Sequence, residues 1–198
     1  MDQKFISDNS RNRRDVLRRG AATTLSLAGL SVLAGGSVKA ASADKGMNNP
    51  EADVQLINTA LSLEHEGIAA YQIAAESGLL ETSVLEVGVL FQGHHKGHRD
   101  ELINAITTLG GQPVEAKPIA EYIKSLEVEK LTSQTDVLNL ALRLELGAAN
   151  AYLGVIPALH HPDYGHLFAR LAADEAMHWT ALTGALGKSL PANALYFG

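Results

Sequence analysis

Two short spacings in this 198-residue chain set ligand-type side chains close together. Glu175-Ala176-Met177-His178 sets a carboxylate and an imidazole three positions apart, and His95-Lys96-Gly97-His98 sets two imidazoles at the same interval. On a helix, residues three apart project from one face a turn apart, so each pair aims two donors in one direction. Glu64 and Glu145 are single carboxylates, each spaced at steps of three and four from apolar residues. A carboxylate buried among such residues costs several kcal/mol unless it is paired or bound to a cation. Carboxylate oxygens and neutral imidazole nitrogens suit iron, manganese or zinc. The chain has no cysteine, which excludes thiolate metal sites, cysteine nucleophiles, disulfides and lipoprotein acylation.

Helices have to hold these groups. Hydrophobic residues make up 46% of the chain and aromatic residues 5%, with Ala and Leu dominant and little strand-like alternation after residue 50. Residues 53–77 read as a first helix, with Gly78 as its left-handed cap. Ser83-Val84-Leu85-Glu86 reads as a capping box opening a second helix to about Leu109. A third begins near Asp136 and ends before Pro157, and a fourth follows Pro162-Asp163 and runs to about Leu186. Short gaps make helices one and two, and three and four, antiparallel hairpins. The longer segment between helices two and three, with a short helix from Ile119 to Leu126, is enough to cross the length of a bundle.

The ionisable residues lie on the apolar seams. Helix one runs Val54, Ile57, Leu61, Glu64, Ile68, Tyr71, Ala75, and helix two runs Val84, Gly88, Phe91, His95, His98, Leu102, Ala105, Leu109. Helix three runs Leu138, Leu142, Glu145, Ala149, Tyr152, Ile156, and helix four runs Phe168, Leu171, Glu175, His178, Leu182. Each seam has its polar interruption at mid-length, so three glutamates and three histidines are expected to converge on one level. The two hairpins also align: Asn58/Asn139, Leu61/Leu142, Glu64/Glu145 and Tyr71/Tyr152 match at an offset of 81, and the His95 and Glu175 quartets at 80. A two-fold internal repeat is the expectation.

These residues resemble the ferritin-like di-metal carboxylate families, among them ferritins, rubrerythrins and bacterioferritins. Their pattern is one Glu on the first helix of each pair and ExxH on the second. Glu64 and Glu145 match the single glutamates, and Glu175 with His178 matches one ExxH. The resemblance spans roughly residues 53–186. It implies an all-α, antiparallel four-helix bundle with one long crossover between helices two and three. It further implies metal ligation at the matching positions, and with the histidines of the same level the candidate ligands are Glu64, His95, His98, Glu145, Glu175 and His178; iron is the leading metal, a di-iron centre the family's form, and manganese or zinc the alternatives. In this chain His95 stands where the family has a glutamate that usually bridges the metals, leaving three carboxylates. An asymmetric dinuclear site or a single metal is therefore the alternative to a conventional di-iron centre. If the protein is an enzyme, oxygen or hydrogen peroxide is the expected substrate. Without a cysteine-rich segment, electrons would come from another protein, and a homodimer is compatible with the pattern.

The competing reading is a metal-free network of buried Glu and protonated His in a non-catalytic, stress-related or structural bundle. An iron-storage cage has nothing in the sequence to specify it. His94 and Asp174, at equivalent positions beside the seams, read as helix-flank residues before second-layer partners. Tyr71 and Tyr152 read as core packing ahead of hydrogen-bonding a carboxylate or relaying an electron, Trp179 as packing rather than redox-active, and His65 and Glu66 as solvent-facing. His160, His161 and His166 carry no expected role.

The first forty residues read as an address. Asn12-Arg13-Arg14-Asp15-Val16-Leu17-Arg18 precedes a weakly apolar run from Gly20 to Gly36, resembling a twin-arginine export signal. Small residues around Ala40 and Ala43 suit cleavage, so the organisation expected is 1–43 signal, 44–52 linker, 53–189 bundle and 190–198 tail. The run is too short and too interrupted for a lasting membrane anchor, and a periplasmic or secreted location follows. Without residues 1–43 the chain carries a net charge of −10, which argues against nucleic acid and anionic membrane surfaces as partners.

Overall fold

The computed structural model describes residues 49–198. The export signal expected over 1–43 lies outside the described residues. Five helices follow: α1 Pro50–Glu76, α2 Thr82–Thr108, the short α3 Ile119–Ser125, α4 Gln134–Val155 and α5 Pro162–Ala185. The protein is all-α, with no strand among the described residues.

Local chemistry sets the ends of these helices. Asn49 accepts a hydrogen bond from the Ala52 amide and Pro50 fills the first position, so α1 starts three residues before the expected 53. Gly78 turns the chain out of α1 at φ +70°. The box expected at Ser83 does not form. Helix α2 instead begins at Thr82 after an extended Glu81, whose amide donates to Gln134 Oε1 at 2.7 Å, so a contact with the other hairpin supplies what the box would have. A reciprocal cap does form at α4. Ser133 accepts from the Asp136 amide and its hydroxyl donates to Asp136 Oδ2 at 2.8 Å.

Helices α1 and α2 pack as one antiparallel hairpin and α4 and α5 as the other, joined mainly through α1 against α4 and also through α2 against α5. Between them the crossover runs along α1. Asn58 holds it at both polarities, donating to Gln112 O at 3.0 Å and accepting from Val114 N at 2.8 Å. Gly111 lets it come this close, since a Cβ there would meet Val54 Cγ1 at 2.6 Å. His65 is half-buried against Val114 O at 3.1 Å, which corrects the expectation that it faces solvent.

Three apolar clusters form the core; Ala69, Ala70, Tyr122 and Leu126 make the smallest, where the crossover packs on α1, and the other two lie at the ends of the bundle. Ile57, Leu61, Leu102, Ile106, Tyr152 and Phe168 fill one end, and Tyr71, Phe91, Leu138 and Leu182 pack toward the other. Asp53, 1% exposed, fastens the α4–α5 connection by accepting the amides of His160 at 2.9 Å and His161 at 3.1 Å. That buried carboxylate was not legible in the seam pattern, and it gives the His160-His161 backbone a structural role. The tail folds back on α5, where Tyr196 and Phe197 pack on Trp179 with ring centroids 5.1 and 5.3 Å away, as the packing reading of Trp179 expects. No helix among the described residues is long and apolar enough to cross a membrane.

Candidate metal centre

Between the apolar clusters at the two ends of the bundle lies a layer of charge. Glu64 on α1, His95 and His98 on α2, Glu145 on α4, and Glu175 and His178 on α5 meet there, all between 0% and 7% exposed. They form two groups whose donor atoms lie within 4.8 Å of one another: Glu64, His95, His98 and Glu175, and His95, Glu145, Glu175 and His178. His95 and Glu175 belong to both. The six residues singled out in the sequence are thus brought to one place.

Glu175 faces both groups, with Oε1 3.2 Å from His98 Nδ1 and Oε2 3.2 Å from His178 Nδ1. His95 also works at both ends. Its Nδ1 lies 2.7 Å from Glu64 Oε2 and its Nε2 3.4 Å from Glu145 Oε1. His98 and His178 instead present only Nδ1 inward. Nε2 of His98 contacts Asp174 Oδ2 at 3.1 Å, and Nε2 of His178 contacts His94 Nδ1 at 2.9 Å. His94 and Asp174 are therefore not simple flanks, because each holds the outer nitrogen of a histidine on the facing hairpin. The signal was present in the sequence, since the two occupy equivalent positions beside the seams. What it lacked was the inter-hairpin distance.

The tyrosines also do more than pack. Tyr71 on α1 donates to Glu145 Oε1 on α4 at 2.5 Å, and Tyr152 on α4 donates to Glu64 Oε1 on α1. Burial and the adjacent carboxylates push both phenols well above their usual range, which keeps them protonated as donors. Gly67 has no signal in the seam pattern. A Cβ there would lie 3.0 Å from His95 Nδ1, so the bare α-carbon makes room for the imidazole.

Burial alone would neutralise these groups, but their contacts reverse it for most. It pushes Glu64 and Glu145 up, yet the facing histidines, with Glu175 also on Glu145, hold Glu64 below the carboxylate range and Glu145 well below. Burial pushes the histidines down, yet the glutamates hold His95 well above and His178 above the usual imidazole value. Burial and the neighbouring Glu145 raise Glu175 to about 7. Two atoms are left over: Nδ1 of His98 and Oε1 of Glu175 are buried without a hydrogen-bond partner, facing each other at angles that do not make a bond. A cation coordinated by both would satisfy them, and the mixed oxygen and nitrogen donor set is that of iron, manganese or zinc.

The ferritin-like domain family matches residues 52–188, which takes in the four long helices but for the first two residues of α1, and every residue of the charged layer. The chain belongs to the ferritin-like domain family. A conserved hypothetical protein of Mycobacterium tuberculosis, rv2844, shares the fold with a TM-score of 0.59 and 22% identity, over 70% of this chain and 100% of that one. Among curated proteins none matches the chain. This ferritin-like domain thus carries buried Glu/His groups that could hold a metal ion.

Proposed function

We propose that this ferritin-like domain protein binds one or two metal ions through Glu64, His95, His98, Glu145, Glu175 and His178, and acts as an oxidoreductase toward oxygen or peroxide. Iron leads, with manganese or zinc as alternatives. The observation that carries the reading is the orphaned pair, His98 Nδ1 and Glu175 Oε1, in a layer whose other buried side-chain donors and acceptors are hydrogen-bonded. A redox metal there would supply one-electron exchange with oxygen or peroxide. The chain's own residues do the rest. Tyr71 and Tyr152 fix the carboxylates of Glu145 and Glu64, Asp174 and His94 orient His98 and His178, and the apolar clusters at the two ends exclude water.

Export by the twin-arginine-type segment, periplasmic or secreted residence, delivery of electrons by a protein donor and origin from an internal repeat belong to the same proposal. The crossed contacts, Tyr71 to Glu145 and Tyr152 to Glu64, support the repeat. One observation favours a second reading: raised histidines facing ionised glutamates make a largely self-compensating network, as a metal-free structural bundle would need.

Elemental analysis of the folded protein beside Glu175→Ala decides between them. The metal reading expects near-stoichiometric metal in the wild type and its loss in the variant. Substoichiometric metal that the substitution leaves unchanged defeats it.

A further inference from the structure

Beyond Phe91 the bundle is not filled. A cavity of about 200 Å³ lies among α1, α2, α4, α5 and residues 126–131 of the crossover. Each long helix turns a residue with a methyl group or less toward it: Ala74, Gly88, Ala141 and Ala181. Among the described residues, no Lys, Arg, Asp, Glu or His lines it. Val87 lines it while 41% exposed, giving a route to solvent beside α2.

Empty apolar volume weakens packing in proportion to its size, so a void held open by four small residues on four helices runs against core stability. Water is a poor occupant, because a buried water needs two to four polar partners and this wall offers few. An engineered apolar cavity of about 150 Å³ in another protein stays dry and takes up benzene. The present space is larger, and a charge within it would have no counter-ion.

We propose that this cavity binds one uncharged apolar molecule, the size of a substituted benzene or a short alkyl chain, with its inner end against Tyr71 and Phe91. Those two rings separate it from the charged layer. The Tyr71 hydroxyl bonds Glu145, and Phe91 stacks on His178 with ring centroids 4.1 Å apart. An occupant is therefore one side chain from the candidate metal ligands. The proposal goes beyond metal binding and does not depend on it.

The test is calorimetric titration of the folded full chain with p-xylene, with and without metal, and with benzoate as the charged control. Saturable binding of one p-xylene with a rise in Tm, the same in both metal states and absent for benzoate, is expected. Ala141→Leu and Gly88→Leu fill the space from different helices, and each should lower p-xylene affinity at least tenfold while leaving metal content unchanged. One folded variant suffices for the comparison. No saturable p-xylene binding by the folded wild type overturns the proposal, as does binding that the filling substitutions leave intact. A wild type that dimerises and excludes p-xylene only as a dimer assigns the cavity to a second copy instead, and also overturns it. Metal content, read separately, reports on the charged layer alone.

Discussion

The hydroxyl of Tyr71, on the first hairpin, donates a 2.5 Å hydrogen bond to Oε1 of Glu145 on the second. The bond ties a phenol 8% exposed to a carboxylate 1% exposed, so neither partner can turn to water. Tyr71→Phe keeps the ring packing and removes only the donor. Hydrogen bonds to charged groups contribute about 1.5–3 kcal/mol, so urea denaturation of the metal-free variant should show a loss of that order. An unchanged midpoint would return Tyr71 to the role of core filler.

Gly67 and His95 form a size-matched pair. The positions aligned with them in the second hairpin hold Ala148 and Glu175, a larger backbone neighbour beside a smaller acid. Gly67→Ala gains about 1 kcal/mol of helix propensity, but it sets a methyl 3.0 Å from His95 Nδ1, and that ring is held between Glu64 and Glu145. Metal affinity is expected to fall at least tenfold, and Gly67→Ala combined with His95→Glu to recover it. Wild-type affinity in the single variant contradicts the pairing.

Asp174 acts through His98. Its carboxylate is about half exposed, so its removal should leave the fold intact, yet it holds the outer nitrogen of a candidate ligand at 3.1 Å. Loss of such a partner typically costs 10–100-fold in metal affinity. Asp174→Ala should show a drop of about that size in a competition titration against a chelator, with stoichiometry preserved. Equal affinities would make Asp174 the bystander that its flanking position implied.

The metal-free protein should weaken as pH rises. Burial opposes charging of His98, but the Glu175 and Glu64 carboxylates overcome it and raise the group from 6.5 to about 10. A pKa raised by folding contributes stability that is complete below 6.5 and is lost as pH climbs through about 10. Glu175, raised from 4.5 to about 7, acts in the same direction over its own range, because ionising it in the buried layer is unfavourable. Glu64 and Glu145, held low, act at the acid end, and their contribution disappears as pH falls below about 4.5. Denaturation of chelator-treated protein should therefore show stability declining between about pH 6.5 and 10. Metal-loaded protein should hold or gain stability there, since ligation needs neutral imidazoles. A flat metal-free profile would contradict the paired-imidazolium account.

The four long helices, and the level at which Glu64, His95, His98, Glu145, Glu175 and His178 meet, can be read from the order of residues alone. Both follow from helical periodicity: a polar residue on an apolar seam is carried inward wherever its helix packs, and mid-length positions in antiparallel hairpins come to one height. What surrounds them depends on how the helices pack. Tyr71 with Glu145, His94 with His178, Asp174 with His98 and Asp53 with the α4–α5 connection are contacts between segments far apart in the chain. Gly67 beneath His95 is likewise a matter of ångströms between two helices. Periodicity says which way a side chain points along its own helix. The distance and rotation of the neighbouring helix, which select its partner, come only from packing the whole bundle.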